Sequence, residues 1–160
     1  MAAKITVRPA VPADLPALAR LGVMLIDYHS ALDPRRYMTV DNALEGYRWY
    51  LSQELENENA VLLAAVGEGD VVVGYAYGTI EGRDWNALLD RHGALHDVIV
   101  DPSARRAGAA EQLVREMCTA LEALGAPRVV LHTAVQNERG QALFKKLGFR
   151  TTMLEMTREA

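Results

Sequence analysis

The stretch from residue 98 to residue 110 constrains this chain more than any other. Val98, Ile99 and Val100 are β-branched and suit a buried strand. Pro102 has no amide hydrogen and cannot continue a central ladder, so the strand stops there. From Ala110 the period changes. Leu113, Met117 and Leu121 fall four apart, with Val114 and Leu124 beside them, which is a helical face. An apolar strand therefore runs through a short loop into a long helix. Arg105, Arg106, Ala107, Gly108 and Ala109 sit at the N-terminus of that helix. Free amides and the positive end of the helix dipole converge there and make an anion site. Gly108 and the alanines carry no bulk that would keep a ligand from the backbone.

The rest of the chain supplies what such a unit packs against. Ile5, Thr6, Val7 and Arg8 alternate and read as a first strand. Pro9 and Pro12 mark a turn, and Asp14 is placed to cap a helix. Leu15, Leu18, Leu21 and Leu25, extended by Tyr28 and Leu32, repeat at three or four until Asp33 and Pro34 end the helix. A second helix is expected over residues 41–56, with Leu44, Tyr47, Leu51 and Leu55 on one face. Strands are expected over 60–66, 71–80 and 95–100, with a hairpin turn at 67–70 and a loop at 81–93. A helix over 107–124, a strand over 128–133, a helix over 138–147 and a last strand over 149–157 complete the chain. The order β-α-α-β-β-β-α-β-α-β, without repeat or linker, predicts an α/β fold. One domain, residues 1–160, holds a mixed central sheet flanked by helices.

Composition removes several function classes. At 160 residues the chain suits one core. No apolar run nears the roughly 20 residues of a membrane span, and the first ten residues show no leader-like apolar run. Cys118 is the only cysteine, so no internal disulfide forms, which fits a cytoplasmic setting. Its neighbours Val114 and Leu121 mark it as a core residue. The net charge of −4 comes from intermixed signs, against a nucleic-acid surface. No His, Cys, Asp or Glu group has metal-ligand spacing. The phosphate-loop motif is absent, which disfavours a nucleotide-binding regulatory domain.

Two motifs carry a family resemblance. Arg105, Gly108 and Ala110 match the Q/R-x-x-G-x-G/A signature of the GNAT superfamily of N-acetyltransferases. Asn137, Gly140, Leu143, Phe144, Lys146, Gly148 and Phe149 resemble its N-x-x-A-x-x-L-Y-x-K-x-G-F helix, at the usual distance downstream. With their flanking strands the motifs cover residues 94–157. The N-terminal part is similar to the family in its order of elements. The resemblance implies acetyl-CoA as co-substrate, its pyrophosphate on the amides of Arg105, Arg106, Ala107, Gly108, Ala109 and Ala110. It implies that the strands over 95–100 and 128–133 splay, with the pantetheine arm between them along Val98 and Val100. Asn137 would cap its helix, contact that arm, or both. The Val98 amide would polarise the acetyl carbonyl.

Two positions bear on the chemistry. Phe144 stands where the family often has a tyrosine that protonates the leaving thiolate, and a phenyl ring cannot donate. A thiol pKa near 8.5 makes thiolate release at neutral pH uphill by only about 2 kcal/mol, so an acid helps without being required. Phe144 then forms an apolar wall. Tyr28, Tyr37, Tyr75 and Tyr77 are phenols the sequence does not choose among. His96 matches the position of a glutamate base in polyamine acetyltransferases. Deprotonating a lysine-like amine at pH 7 costs roughly 4–5 kcal/mol, so a base matters. Strand alternation predicts that His96, Val98 and Val100 share a face, with Asp97 opposite and structural. The alternative is a structural histidine packed in the sheet.

Tyr28, His29, Asp33 and Arg35 resemble a segment that lines the acceptor pocket in a subset of the family, and equally fit a helix end with Asp-Pro turn chemistry. Trp49 and Trp85 either wall that pocket or bury apolar area. The expected activity is acetyl transfer to a primary amine of a small molecule by direct attack in a ternary complex. The rivals are a non-catalytic acyl-CoA-binding module and an acetyltransferase for protein or peptide amines. Family members dimerise through the sheet edge or the C-terminal strands, and the alternation of residues 151–158 leads to the expectation of a homodimer.

Overall fold

In the computed structural model, which describes residues 4–160, five strands form one sheet in the order β1-β2-β3-β4-β5. The first three residues, part of the stretch expected to hold no leader, lie outside the described residues. The strands are β1 (Thr6–Pro9), β2 (Ala60–Val66), β3 (Val72–Glu81), β4 (His92–Val100) and β5 (Val129–Leu131). The helices are α1 (Leu15–Leu32), α2 (Ala43–Leu55), α3 (Ala109–Ala123) and α4 (Glu138–Lys146). Neighbouring strands from β1 to β4 are antiparallel, and β4 pairs with β5 in parallel. The parallel pair needs a crossover, and α3 supplies it.

Each sheet face has its own core. On one side Leu113, Val114, Met117 and Leu121 of α3 pack on Leu63, Ala65, Ala76 and Leu95. Burying one such large side chain contributes roughly 1.5–3 kcal/mol. Four per helix make packing, not propensity, the term that fixes α3. On the other side Leu18 and Leu21 of α1 and Leu51 of α2 cover Leu62, Tyr75 and Tyr77. Leu44, expected on the same helical face, is exposed. Cys118 packs at the edge of the first core, where burial pushes its thiol up.

Several elements differ from expectation. The last strand does not form. Residues 149–160 carry no regular structure, and Met153, Leu154 and Met156 are exposed. That segment is tied instead to the turn after α1, by ion pairs of Arg36 with Glu155 and of Arg35 with Glu159. β5 keeps only three residues of the six expected. β4 begins at His92 because β3 runs on to Glu81 and pairs with it, so the loop narrows to residues 82–91. Asp14 caps no amide of α1. Its carboxylate accepts from the Val11 amide and pairs with Arg8 at 2.7 Å, buried under the first turn. Trp49 and Trp85 neither bury area nor wall a pocket with His96, being 66% and 75% exposed.

The most consequential difference lies in β4. Tyr77 pairs with Asp97 and Gly78 with Leu95, so His96 is an extra residue in a bulge. A bulge reverses the alternation on one side of it. Leu95, Val98 and Val100 face α3. His96 stacks on Tyr77, Asp97 bonds the Tyr75 hydroxyl, and both lie on the α1 and α2 side. The expected grouping of His96 with Val98 and Val100 is thereby corrected.

Candidate active site

The parting of β4 and β5 opens the site. Their pairing joins Gly93, Ala94 and Leu95 to Val129, Val130 and Leu131 and ends there. Further along, the Asp101 amide donates to Val73 O at 2.7 Å, toward β3. By the alternation of an antiparallel ladder, Ile99 also turns its groups toward β3, while Val98 and Val100 turn theirs to the far edge. That edge is the one β5 has left. The amides of Val98 and Val100 thus face the gap.

The loop into α3 lies at the mouth of the gap. Asp101 accepts from the Ser103 amide and hydroxyl, which hold its carboxyl below the usual range, and the turn closes with Ala104 and Arg105 donating to Asp101 O and Pro102 O. Arg106 and Gly108 then adopt left-handed backbone at φ 73° and 76°. This throws the chain outward before α3 starts. Among the described residues, the amides of Arg106, Ala107, Gly108, Ala109, Ala110 and Glu111 have no acceptor. The Arg105 amide, expected to join them, is used in the turn at 3.4 Å. No atom stands within 4 Å of where a side chain at Gly108 would begin. An open groove of about 350 Å³ runs beside the loop, lined by Ile5, Val71, Val73 and residues 103–107. Six amides free among the described residues at a helix N-terminus, with the guanidinium groups of Arg105 and Arg106 beside them, suit a phosphate-bearing ligand.

Asn137 closes the far side. Its Oδ1 accepts from the Gly140 amide at 3.1 Å and from the Tyr28 hydroxyl at 3.0 Å, and its Nδ2 donates to Thr133 at 3.1 Å. It caps α4, as expected, and also ties α1 to α4. A Cβ at Gly140 would meet the Asn137 amide as it is placed here. Phe144 packs edge-to-face on Phe149 at 5.9 Å against the α3-side core.

The acceptor side is built on Tyr75, Tyr77 and Thr79, which alternate on one face of β3. Tyr75 donates to Asp97 Oδ2 at 2.8 Å. Tyr77 donates to Glu54 at 2.7 Å and meets the Tyr50 hydroxyl at 2.9 Å. His96 Nε2 lies 2.8 Å from the Thr79 hydroxyl, which reaches Glu81 at 2.5 Å. Burial pushes the Tyr47, Tyr75 and Tyr77 phenols well above their usual range, so they stay protonated. Burial likewise raises the Asp97 carboxyl, against the Tyr75 hydroxyl and the nearby His96 and His29 rings that lower it.

The sequence candidates for the acceptor pocket divide. Tyr28 reaches Asn137, and His29 lies near enough to Asp97 to bear on its charge. His29 Nδ1 donates to Leu25 O at 2.8 Å. Asp33 is spent on the turn, accepting from the amides of Arg35 and Arg36, and the Arg35 side chain turns to Glu159. The Asp-Pro turn explains both. The sequence alone sets Tyr47 only on the packed face of its helix and leaves Glu54, Thr79 and Glu81 unmarked, although the alternation Tyr75, Tyr77, Thr79 already places three polar side chains on one strand face. A separate groove of about 480 Å³ lies along α2 by Trp49 and Arg48 and includes none of these residues. Among the described residues no cluster of His, Cys, Asp or Glu is placed to hold a metal ion, and no helix is long and apolar enough to cross a membrane.

Residues 24–149 match the acetyltransferase (GNAT) family. The glucosamine 6-phosphate N-acetyltransferase of Trypanosoma brucei brucei is 34% identical over 64 residues. The match takes in 40% of this chain and 42% of that protein, so the chain spans less than half the length of the curated relative. The fold is shared with a tetramutant of the BH1408 protein from Bacillus halodurans, at a TM-score of 0.81 and 16% identity, over 97% of this chain and 99% of that one. A predicted acetyltransferase from Clostridium acetobutylicum, solved with acetyl-CoA, superposes at 0.73 with 18% identity, over 96% of each chain.

Proposed function

The chain belongs to the acetyltransferase (GNAT) family, and on that premise we propose that it transfers the acetyl group of acetyl-CoA to a primary amine of a small molecule, both bound at once in one domain. The observation that carries this reading is the meeting of two sets of unpaired backbone groups. Free amides from Arg106 to Glu111 suit a pyrophosphate, and the Val98 and Val100 edge of β4 suits an amide-bearing arm that lengthens the ladder. Arg105 and Arg106 add charge at the rim, and Asn137 and Phe144 bound the far side. Acetyl-CoA in the Clostridium acetobutylicum neighbour supports the choice of donor.

The chemistry follows from the groups at the gap. The amine arrives mostly protonated, and His96 takes a proton from it. The freed nitrogen attacks the acetyl carbonyl. The Val98 amide, directed into the gap, donates to the oxygen as negative charge gathers there. As the carbon–sulfur bond breaks, the nitrogen gives its second proton to water, and the thiolate leaves and takes a proton from water, since Phe144 has no proton to give. Tyr28 and His29 border the acceptor, with Asp97 behind them. The sugar phosphate named for the Trypanosoma brucei brucei relative supports a small amine over a peptide. The mixed surface charge and the unpaired Cys118 support a partner that is neither nucleic acid nor membrane, and a cytoplasmic setting.

Phe144 favours a second reading, a module that binds acyl-CoA without turnover. Calorimetry with acetyl-CoA tests the shared premise. Gly108→Asp puts a carboxylate among the free amides and a Cβ on left-handed backbone. Affinity is expected to fall by about tenfold or more, the cost of roughly 1.4 kcal/mol. Unchanged affinity in a folded variant would place the donor elsewhere.

A further inference from the structure

We propose that Thr79 and Glu81 are positioning residues for His96: they hold its ring in the tautomer that carries hydrogen on Nε2, which makes Nδ1 the nitrogen that accepts the amine proton. This rests on the reading of His96 as the base.

The argument is donor counting. A carboxylate only accepts hydrogen bonds, and a threonine hydroxyl has one hydrogen. The Thr79 hydroxyl lies 2.5 Å from Glu81 Oε1, so its hydrogen is directed to that oxygen. The same hydroxyl oxygen lies 2.8 Å from His96 Nε2. With its hydrogen committed, the oxygen can only accept there, and Nε2 must donate. A neutral imidazole has one hydrogen, so Nδ1 keeps its lone pair. Among the described residues Nδ1 has no hydrogen-bond partner, and the His96 side chain is 40% exposed. When Nδ1 takes the proton, the N–H bond of the ammonium breaks and the Nδ1–H bond forms. The positive charge then spreads to Nε2, 3.6 Å from the Glu81 carboxylate.

The bulge in β4 makes this possible. Thr79 pairs with Ala94, and His96, two residues on, keeps that face, whereas the alternation of Val98 and Val100 carried back to it would send it toward α3. The extra residue breaks the phase between the two, so the ring lies on the face of Thr79, where it stacks on Tyr77 with centroids 5.1 Å apart. Stacking fixes the ring plane, and the hydroxyl fixes which edge is which. The charged and titratable groups around the ring are few. β3 presents Glu81 and Tyr77, and β4 itself adds Asp97. Glu54 and Tyr50 of α2 act through the Tyr77 hydroxyl, and His29 of α1 lies by Asp97. Among the described residues only the Thr79 hydroxyl lies within hydrogen-bond distance of a ring nitrogen.

Nitrogen-15 NMR reads the tautomer directly, with His96→Ala assigning the signal among the four histidines. Wild-type His96 is expected as the Nε2–H form. Thr79→Val keeps the shape and removes the hydroxyl. The Nδ1–H form should then appear, with kcat reduced about tenfold, a usual cost of losing an orienting partner, and the KM for acetyl-CoA unchanged. Thr79→Ser should restore both. Glu81→Ala, at a half-exposed position that tolerates truncation, should also admit the Nδ1–H form. The Nδ1–H form in the wild type, or no change of tautomer in either Thr79→Val or Glu81→Ala, would overturn the proposal. Full turnover in His96→Ala would instead remove the base reading, and the tautomer result would stand apart from it.

Discussion

At the scale of single residues, the site turns on one inserted position. His96 keeps the face of Ala94 and Thr79 and shares it with Asp97, because a bulge breaks the alternation before Val98. Strand alternation is legible in a sequence, and a bulge is not, because it changes no residue type and shifts parity by one. The sequence therefore names His96 but places it on the wrong face, and it sets Asp97 apart from a cluster to which Asp97 belongs. Asn137 was legible, since an Asn before a helix is a capping signal. Its bond to Tyr28, 109 residues away, was not. If His96 accepts the amine proton, His96→Ala should lower kcat/KM by roughly 10²-fold or more at neutral pH. Binding of acetyl-CoA should persist, because the loop after β4 is untouched. Raising the pH should restore part of the loss, since more amine then arrives deprotonated. Wild-type and variant pH–rate profiles that run parallel would leave the proton to another group.

At the scale of elements, the unit from β4 through α3 was the most readable part. Its apolar strand, proline stop and four-residue spacing agree with one another, and all three appear in the structure. The ends of the chain were less readable. Alternation in residues 149–157 describes a strand only if a neighbour offers a ladder, and the tail is drawn to Arg35 and Arg36 instead. Asp14 was mistaken for an ordinary cap because its partner, Arg8, lies on another element. That pair yields a prediction about stability. The Arg8 guanidinium and the Val11 amide hold the buried Asp14 carboxyl below its usual range. A carboxyl depressed by folding contributes stability above its unfolded value, near 3.9, and loses it as the pH falls through the folded value. Asp14→Asn keeps an acceptor for Val11 and removes the charge. It should cost about 1–2 kcal/mol at pH 7, with the difference from wild type shrinking below pH 4 in denaturant melts. A difference that stays constant down to pH 2 would mean the ion pair is not its source.

At the scale of the whole molecule, β1 and β5 are the outer strands of the sheet, and the tail leaves Met153, Leu154 and Met156 in solvent. Unpaired edges and exposed apolar side chains favour association. A homodimer is expected by light scattering at micromolar concentration, and a monomer throughout that range would contradict it. The central claim is acetyl transfer itself, and thiol release from acetyl-CoA across a panel of primary amines tests it most directly. The account predicts release above the background rate with at least one small amine, lost in Gly108→Asp and reduced in His96→Ala. Tight binding of acetyl-CoA with no thiol release from any amine would contradict it and leave the chain a binding module.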